Sequence, residues 1–392
     1  MKKTVLKFIS IGMCLIFALG VFAACGNKNE GTYVIGLSGP LTGAAAVYGT
    51  AVKNSAQMAV DEINAAGGLD GVKFELIALD DQHDPSKVEA NYASMMDKGM
   101  HVSLGCVTTK PCLEFAELSK ADNVFFLTPS ASANSVVDNN NAYQMCFADG
   151  NQGTVAANYV NGLGYEKIGI FYKADDDYSK GIYDQFKSVL NSNIQTVEAS
   201  FTGDATDFTT QIGILKDCEF IFMPIYYTPA SNFMLAAKGK VADNAIYYGC
   251  DGFDGIESAE GFDITTIPQK VSMLSHFDSK ATEGKAGDFV KKYVAAYGAD
   301  TLNQFGASAY DCVYAIYEAL KFAKANGVEF DASTSASDFC EILKAVFNNP
   351  DFVFHGVTGA PEANGLSNIK WNSDGTVNKA AEKSVVKECT AE

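Results

Sequence analysis

The 392-residue sequence predicts an α/β fold of two lobes, each a parallel sheet flanked by helices. Two observations predict it. From Tyr33 onward, short apolar runs of strand length alternate with stretches in which apolar residues recur at helical spacing. After residues 143–147 the alternation restarts on the same plan, and the chain is long enough for two domains.

The elements follow in order. A strand at 33–37 precedes a helix whose apolar face is Val52, Ala56, Ala59, Val60 and Ile63 and which Gly67-Gly68 stops. Strand 73–79, helix 86–97, strand 101–105, helix 111–122 and strand 124–127 complete a βαβαβαβ pattern, with one more strand at 143–147. The second unit reads as helix 153–161, strand 167–172, helix 179–190, strand 196–201, helix 207–215, strand 220–225, helix 230–238 and strand 245–248. Residues 270–275 look like a crossing segment. The long helices 283–297, 304–325 and 336–347 lack intervening strands and are expected to return and cover the first lobe. Strand signals at 353–357 and 369–371 and an Asp374-Gly375 turn end the chain. The division expected is 33–148 plus 276–355 in one lobe and 149–275 plus 356–392 in the other.

Strands 101–105 and 124–127 each empty into a hydroxyl-rich loop, 106–111 with Thr108 and Thr109, and 128–132 with Thr128, Ser130 and Ser132. Ligands of open α/β sheets lie at the carboxyl ends of strands, so two strands present hydroxyls at one crevice. Hydroxyls and the unpaired first N–H groups of a helix suit a carboxylate. The same residues also suit plain helix capping, and the loops alone leave both readings open.

Lys2, Lys3 and Lys7 precede an apolar run, 8–24, that ends in Phe22-Ala23-Ala24-Cys25, a secretory signal. Small residues before a cysteine resemble a bacterial lipobox, so residues 1–24 are expected to be removed and Cys25 to carry lipid, followed by a polar linker, 25–32. No later stretch is long and apolar enough to span a bilayer. Losing the three lysines moves the formal charge from −18 to −21, and an acidic balance without basic patches excludes nucleic acid as partner.

The chain contains no Arg, so an anion must be held by hydroxyls, backbone N–H groups or Lys. Eight cysteines besides Cys25 and the signal's Cys14 form no CxxC pair and sit largely within apolar runs, which reads as buried free thiols. Asp80-Asp81-Gln82-His83-Asp84-Pro85 is the one metal-like cluster and is read as a loop and helix start, so neither metal nor cofactor is expected. The nucleophile elbow, phosphate loop, dinucleotide and zinc-protease motifs are absent, which weighs against an enzyme.

The run Ile35-Gly36-Leu37-Ser38-Gly39-Pro40-Leu41-Thr42-Gly43, then Val47-Tyr48-Gly49, then 59–68 (AVDEINAAGG), strongly resembles the start of the leucine/isoleucine/valine-binding family of type I periplasmic binding proteins. Asp80-Asp81 with Asp84-Pro85 and the 128–132 loop extend the resemblance, and Tyr310-Asp311 matches a structural pattern of its later helices. The resemblance implies two Rossmann-like lobes joined by hinge segments, closing over an amino acid in the cleft between them, in a monomeric extracytoplasmic receptor that serves an ABC permease. Carried over by position, the carboxylate and ammonium contacts of the first lobe fall on Thr109, Ser130 and Ser132. Those of the second lobe fall on Tyr178, Tyr227 and the acidic partner Asp251, with Tyr48 and, less closely matched, Phe305 lining the side-chain pocket.

This sequence departs from the family in three places. Some relatives carry a disulfide at the equivalents of His83 and Thr108; Asp251 stands where Glu is familiar; and Lys110 adds a cation that could admit a ligand with an extra acid. Asp254 is expected to be turn chemistry. The expectation is a lipid-anchored receptor for an amino acid, branched-chain or otherwise apolar. The alternatives are a receptor of the same fold for urea or a short amide, a serine-dependent lipoprotein hydrolase, and a sensory module that docks a partner without transport.

Overall fold

The computed structural model describes residues 31–359, 366–378 and 385–389. The expected signal peptide, Cys25 and most of the linker lie outside the described residues.

The first sheet has the order β2-β1-β3-β4-β5, formed by β1 (Thr32–Gly39), β2 (Lys73–Asp80), β3 (Met100–Cys106), β4 (Phe126–Thr128) and β5 (Ala142–Gln144), all parallel. On one face lie α1 (Ala46–Ala65), α9 (Gln304–Ala325) and α10 (Ala336–Phe347). On the other lie α2 (Val88–Asp97) and α3 (Thr109–Asp122), where Phe115 meets Tyr92 and Phe126 edge-on. The long helices thus return to the first sheet as expected, with α8 (Gly284–Tyr297) tied to α1 through Lys292 and Glu62.

The second sheet has the order β11-β10-β9-β8-β6-β7, with β6 (Lys167–Lys173), β7 (Gln195–Phe201), β8 (Phe220–Met223), β9 (Ile246–Gly249) and β10 (Lys270–Ser275) parallel and β11 (Val385–Glu388) antiparallel on β10. The helices are α4 (Asp149–Leu163), α5 (Asp177–Val189), α6 (Thr209–Leu215) and α7 (Tyr227–Ala237). Residues 270–275, expected as a crossing segment, are a full strand buried beyond its first residue, because β9 and β11 satisfy both of its edges.

Among the helices that begin earlier than expected, two do so for one reason. Pro111 is the third residue of α3 and Pro229 the third of α7. N–H groups in a first helical turn have no intrahelical acceptor, so proline there breaks nothing and does not mark the start. In consequence Thr109 and Tyr227 each become the first residue of a helix.

The tail departs from the expected division. Residues 366–378 pack on the first sheet: Trp371 donates its indole N–H to Gln144 O at 2.8 Å and lies against Phe347, and Gln144 N donates to Gly375 O. Among the described tail residues, only β11 joins the second sheet. Strand signals at 353–357 and 369–371 survive as two isolated antiparallel pairings, Phe354 with Ile369 and Trp371 with Val377. The return is anchored by Asp311 on α9, whose carboxylate accepts from Val357 N (2.7 Å), Thr358 N (2.9 Å) and the Thr358 hydroxyl.

Removing that carboxylate strands three buried donors, each costing about 1–3 kcal/mol when unmatched. Asp311→Ala is therefore expected to lose at least about 2 kcal/mol in urea unfolding, and an unchanged midpoint would show that the 356–378 return is not held there.

Candidate functional site

In the first sheet the strand order reverses around β1, which lies between β2 and β3; in the second it reverses around β6, between β7 and β8. Loops leaving the strands at such a reversal diverge and open a crevice. The two crevices face each other.

On the first side, β3 is buried over its whole length, and its last residue but one is Gly105, whose φ of +61 and close approach to Phe126, 2.9 Å from where a Cβ would stand, admit only glycine. This turn delivers Thr108 and Thr109 to the start of α3. Thr108 makes no capping bond to the helix; its hydroxyl pairs with His83 Nδ1 at 2.8 Å, at the two positions where some relatives carry a disulfide. Thr109 is 1% exposed and its hydroxyl has no protein partner. In the second loop the Thr128 hydroxyl donates to Cys106 O and accepts from Ser130 N and Ala131 N, while Gln144 holds Ala131 O and Ala133 O from behind, both at 3.0 Å. Ser130 and Ser132 are thereby buried beside Thr109.

On the second side, Tyr178 follows β6, Tyr226 follows β8 and Asp251 follows β9. Tyr178 donates its hydroxyl to Asp251 Oδ1 at 2.6 Å and accepts from Gly252 N at 2.9 Å. Gln152 Oε1 receives Asp251 N. Asp251 Oδ2, fully buried, has no hydrogen-bond partner. Burial pushes the Asp251 acid up to about 7 against the opposing pull of Tyr178 and Gln152, and nearby Asp254 adds to the rise. Behind it, Asp149 is raised well above the carboxylate range, first by burial and then by Asp251; Ser132 is near enough to oppose this without closing a hydrogen bond to Asp149 Oδ2.

These groups converge on a cavity of about 10 Å3, lined by Tyr48, Thr109, Ser130, Ser132, Tyr178, Asp251 and Phe305 together with Val107, Thr108, Tyr226 and Gly252. Six of the seven residues expected to touch ligand, and Phe305, are brought together. Tyr227 is not: as the first residue of α7 its ring turns back toward the other lobe, its hydroxyl 3.5 Å from Val47 N, and Tyr226 takes the place at the cavity. Thr228-Pro229 narrows the helix start to within one turn, because proline is tolerated anywhere in it, but does not choose between the adjacent tyrosines.

Two other expectations change. The Lys110 ammonium reaches across to Asp175 O at 2.6 Å, so it links the lobes and is not aimed at the cavity. Asp254 is buried rather than simple turn chemistry, and its Oδ2 accepts from Gln304 N at 2.8 Å at the start of α9. Further links between the lobes are the Tyr48 hydroxyl to Gly252 O, Tyr227 N to the Tyr48 hydroxyl (3.3 Å), and the Thr228 hydroxyl to Ala44 O (2.6 Å).

The Asp80–Pro85 cluster is loop chemistry as expected. Asp80 accepts from Leu41 N, Thr42 and Gln82 N, and Asp84 caps the short turn Pro85–Lys87 through Ser86 N. Among the described residues no acidic, His and Cys side chains group as metal ligands, and no helix is long and apolar enough to cross a membrane. The eight described cysteines are all buried, as thiols rather than disulfides.

Two α/β lobes whose strand-reversal crevices face each other across an enclosed polar site define a type I periplasmic binding protein. Comparison with known proteins agrees. A family described as periplasmic binding protein matches residues 32–365. The Leu/Ile/Val-binding protein BraC3 of Rhizobium johnstonii is 31% identical over 86% of this chain and 91% of its own. A leucine-, isoleucine-, valine-, threonine- and alanine-binding protein of Pseudomonas aeruginosa is 25% identical over 88% and 91%. Among solved structures, the leucine-binding protein LivK of Thermotoga maritima shares the fold at a TM-score of 0.76 and 21% identity, over 92% of this chain and 96% of its own. LivJ of Streptococcus pneumoniae, in complex with isoleucine, does so at 0.72 and 23%, over 91% and 100%. A solute-binding protein of R. palustris in complex with benzoate does so at 0.71 and 17%, over 92% and 98%. The chain belongs to the leucine/isoleucine/valine-binding family of periplasmic binding proteins, extracytoplasmic solute-binding components of ABC transporters.

The raised acid at Asp251 has a sign that can be tested. Its neutral form favours the packed site fully below the ordinary value of 3.8, and that contribution is lost as pH rises to about 7. A ligand that brings an ammonium needs the ionised form, so its affinity should rise about tenfold per pH unit toward neutrality and level off above about 7, with close to one proton released per ligand. Calorimetry in buffers of different ionisation enthalpy measures both; a pH-independent affinity between 5 and 7 would show that no cation meets Asp251.

Proposed function

We propose that the protein is an extracytoplasmic receptor, anchored by lipid on Cys25, that closes over a free α-amino acid and hands it to an ABC permease without transforming it. The observation that carries this is the polarity of the cavity: an unmatched hydroxyl, Thr109, at a helix N-terminus on one lobe, and an unmatched carboxylate oxygen, Asp251 Oδ2, on the other. An α-carboxylate suits the first end and an ammonium the second. An aryl carboxylate would leave Asp251 without a cation, and urea would leave the Thr109 end without an anion. The names of the relatives put aliphatic amino acids first among candidates.

Several features support binding without catalysis. His83, whose ring meets the cavity residue Tyr226 edge-on, is spent on Thr108, and burial with Lys173 and Lys110 lowers it to about 4. A serine nucleophile needs a base within hydrogen-bond reach. Closure is read as a rotation of 33–148 plus 276–355 against 149–275 about the crossings between the sheets.

Asp251→Ala should weaken amino-acid binding by about 2–5 kcal/mol, since truncation leaves the ammonium buried without its partner. Thr109→Ala should weaken it by about 1.5–3 kcal/mol. Calorimetry reads both, and small-angle scattering should show ligand-induced compaction lost in Asp251→Ala; wild-type behaviour in both variants would sink the reading.

Cys25→Ser should release the protein from membranes or leave an unprocessed precursor. Unchanged attachment with residues 1–24 retained would point to a membrane-spanning anchor instead.

A further inference from the structure

We infer that the site selects the smallest α-amino acids, of the size of glycine, alanine and serine, and that Tyr226 and Phe305 set this limit; the inference rests on the amino-acid reading above. The cavity of about 10 Å3 has the room of roughly one water. Seating a ligand therefore displaces whatever wall its side chain meets, and the walls are fixed from behind.

Tyr48 cannot swing away, because its hydroxyl is held by both Gly252 O and Tyr227 N. Phe305 lies edge-on against Tyr48 with ring centroids 5.0 Å apart and is 3% exposed. It is the second residue of α9, and the start of that helix is pinned: Gln304 N donates to Asp254 and Gly306 N to the Asn303 side chain. Retreat of α9 is blocked by α1, against which a Cβ at position 306 would stand 2.9 Å from the Ser55 hydroxyl. Tyr226 is stacked on Tyr178 at 4.5 Å and 11° and is met edge-on by His83 at 5.4 Å.

Glycine's five heavy atoms already exceed the room of one water, so every ligand moves some wall, and each carbon beyond Cβ adds to what the packed rings must yield, which overpacked sites resist. Hydrophobic pockets discriminate a single methylene by roughly 10- to 200-fold. The preference should accordingly run from alanine down to valine and leucine, the order opposite to that of a site that rewards apolar area.

The test is a calorimetric panel of glycine, alanine, serine, valine, leucine and isoleucine on protein stripped of bound ligand, for wild type, Phe305→Ala and Tyr226→Ala. Wild type should bind alanine at least about tenfold more tightly than leucine, and either variant should narrow or invert that ratio by about tenfold or more. Phe305→Leu, a smaller change, serves if an alanine variant fails to unfold cooperatively. Leucine binding as tight as alanine in the wild type, or a ratio unmoved in well-folded variants, would overturn the size limit and leave the amino-acid reading standing. No binding by any of the six would overturn the size limit, and silence from the remaining standard amino acids as well would remove the amino-acid reading.

Discussion

A carboxylate at the meeting plane of two lobes is the constraint around which the rest is arranged. Taking an ion out of water costs several kcal/mol unless the surroundings replace its hydration. Around Asp251 that replacement is half complete: Tyr178 donates to one oxygen and the protein offers nothing to the other. The neighbours are committed to holding the acid in place rather than to neutralising it, with Gln152 on its amide and Gly252 tied to both Tyr178 and Tyr48. The same atoms that orient the acid also join the lobes, so the charge state of Asp251 and the seating of one lobe on the other are one energetic problem.

The opposite end of the cavity is built without any fixed positive charge, in a chain that has no Arg. Polarity comes instead from strand geometry. β3 runs into α3 with a single-glycine turn, and β4 runs into a loop folded round the Thr128 hydroxyl, so hydroxyls and helix-start N–H groups gather where two strands end. Because Thr108 is engaged by His83, it is withdrawn from capping, and Thr109 rather than Thr108 is left with an unanswered hydroxyl.

Most of the fold could be read from periodicity, because both sheets are parallel apart from β11 and most of their strands are apolar runs between amphipathic helices. Element ends were less legible wherever proline fell inside a first turn, which hid the true starts at Thr109 and Tyr227. The 270–275 strand was missed because only short turns, and no amphipathic helix, lead into it from β9, while the tail was misplaced because its partners, Gln144 and β10, lie more than 100 positions away. Within the site, positions defined by a strand end, such as Thr109, Ser132, Tyr178 and Asp251, were legible from spacing and family resemblance. Tyr226 was not, because choosing between adjacent tyrosines requires the helix phase. The roles of Lys110 and Asp254 depend on groups more than 45 positions away and have no local signature.

Eight thiols buried in both lobes have a consequence for the life of the chain before it is folded. Thiol oxidation requires access and thiolate character, and burial denies both, with Cys106, Cys112 and Cys250 all raised well above their ordinary acidity constant. The folded protein is thereby indifferent to the redox potential around it. The newly exported chain has no such protection: until its two cores close, every one of the eight is open to pairing in any of 105 ways, none of which the native fold uses. Oxidant met in that interval competes directly with folding, so the yield of active receptor depends on collapse outrunning sulfur chemistry.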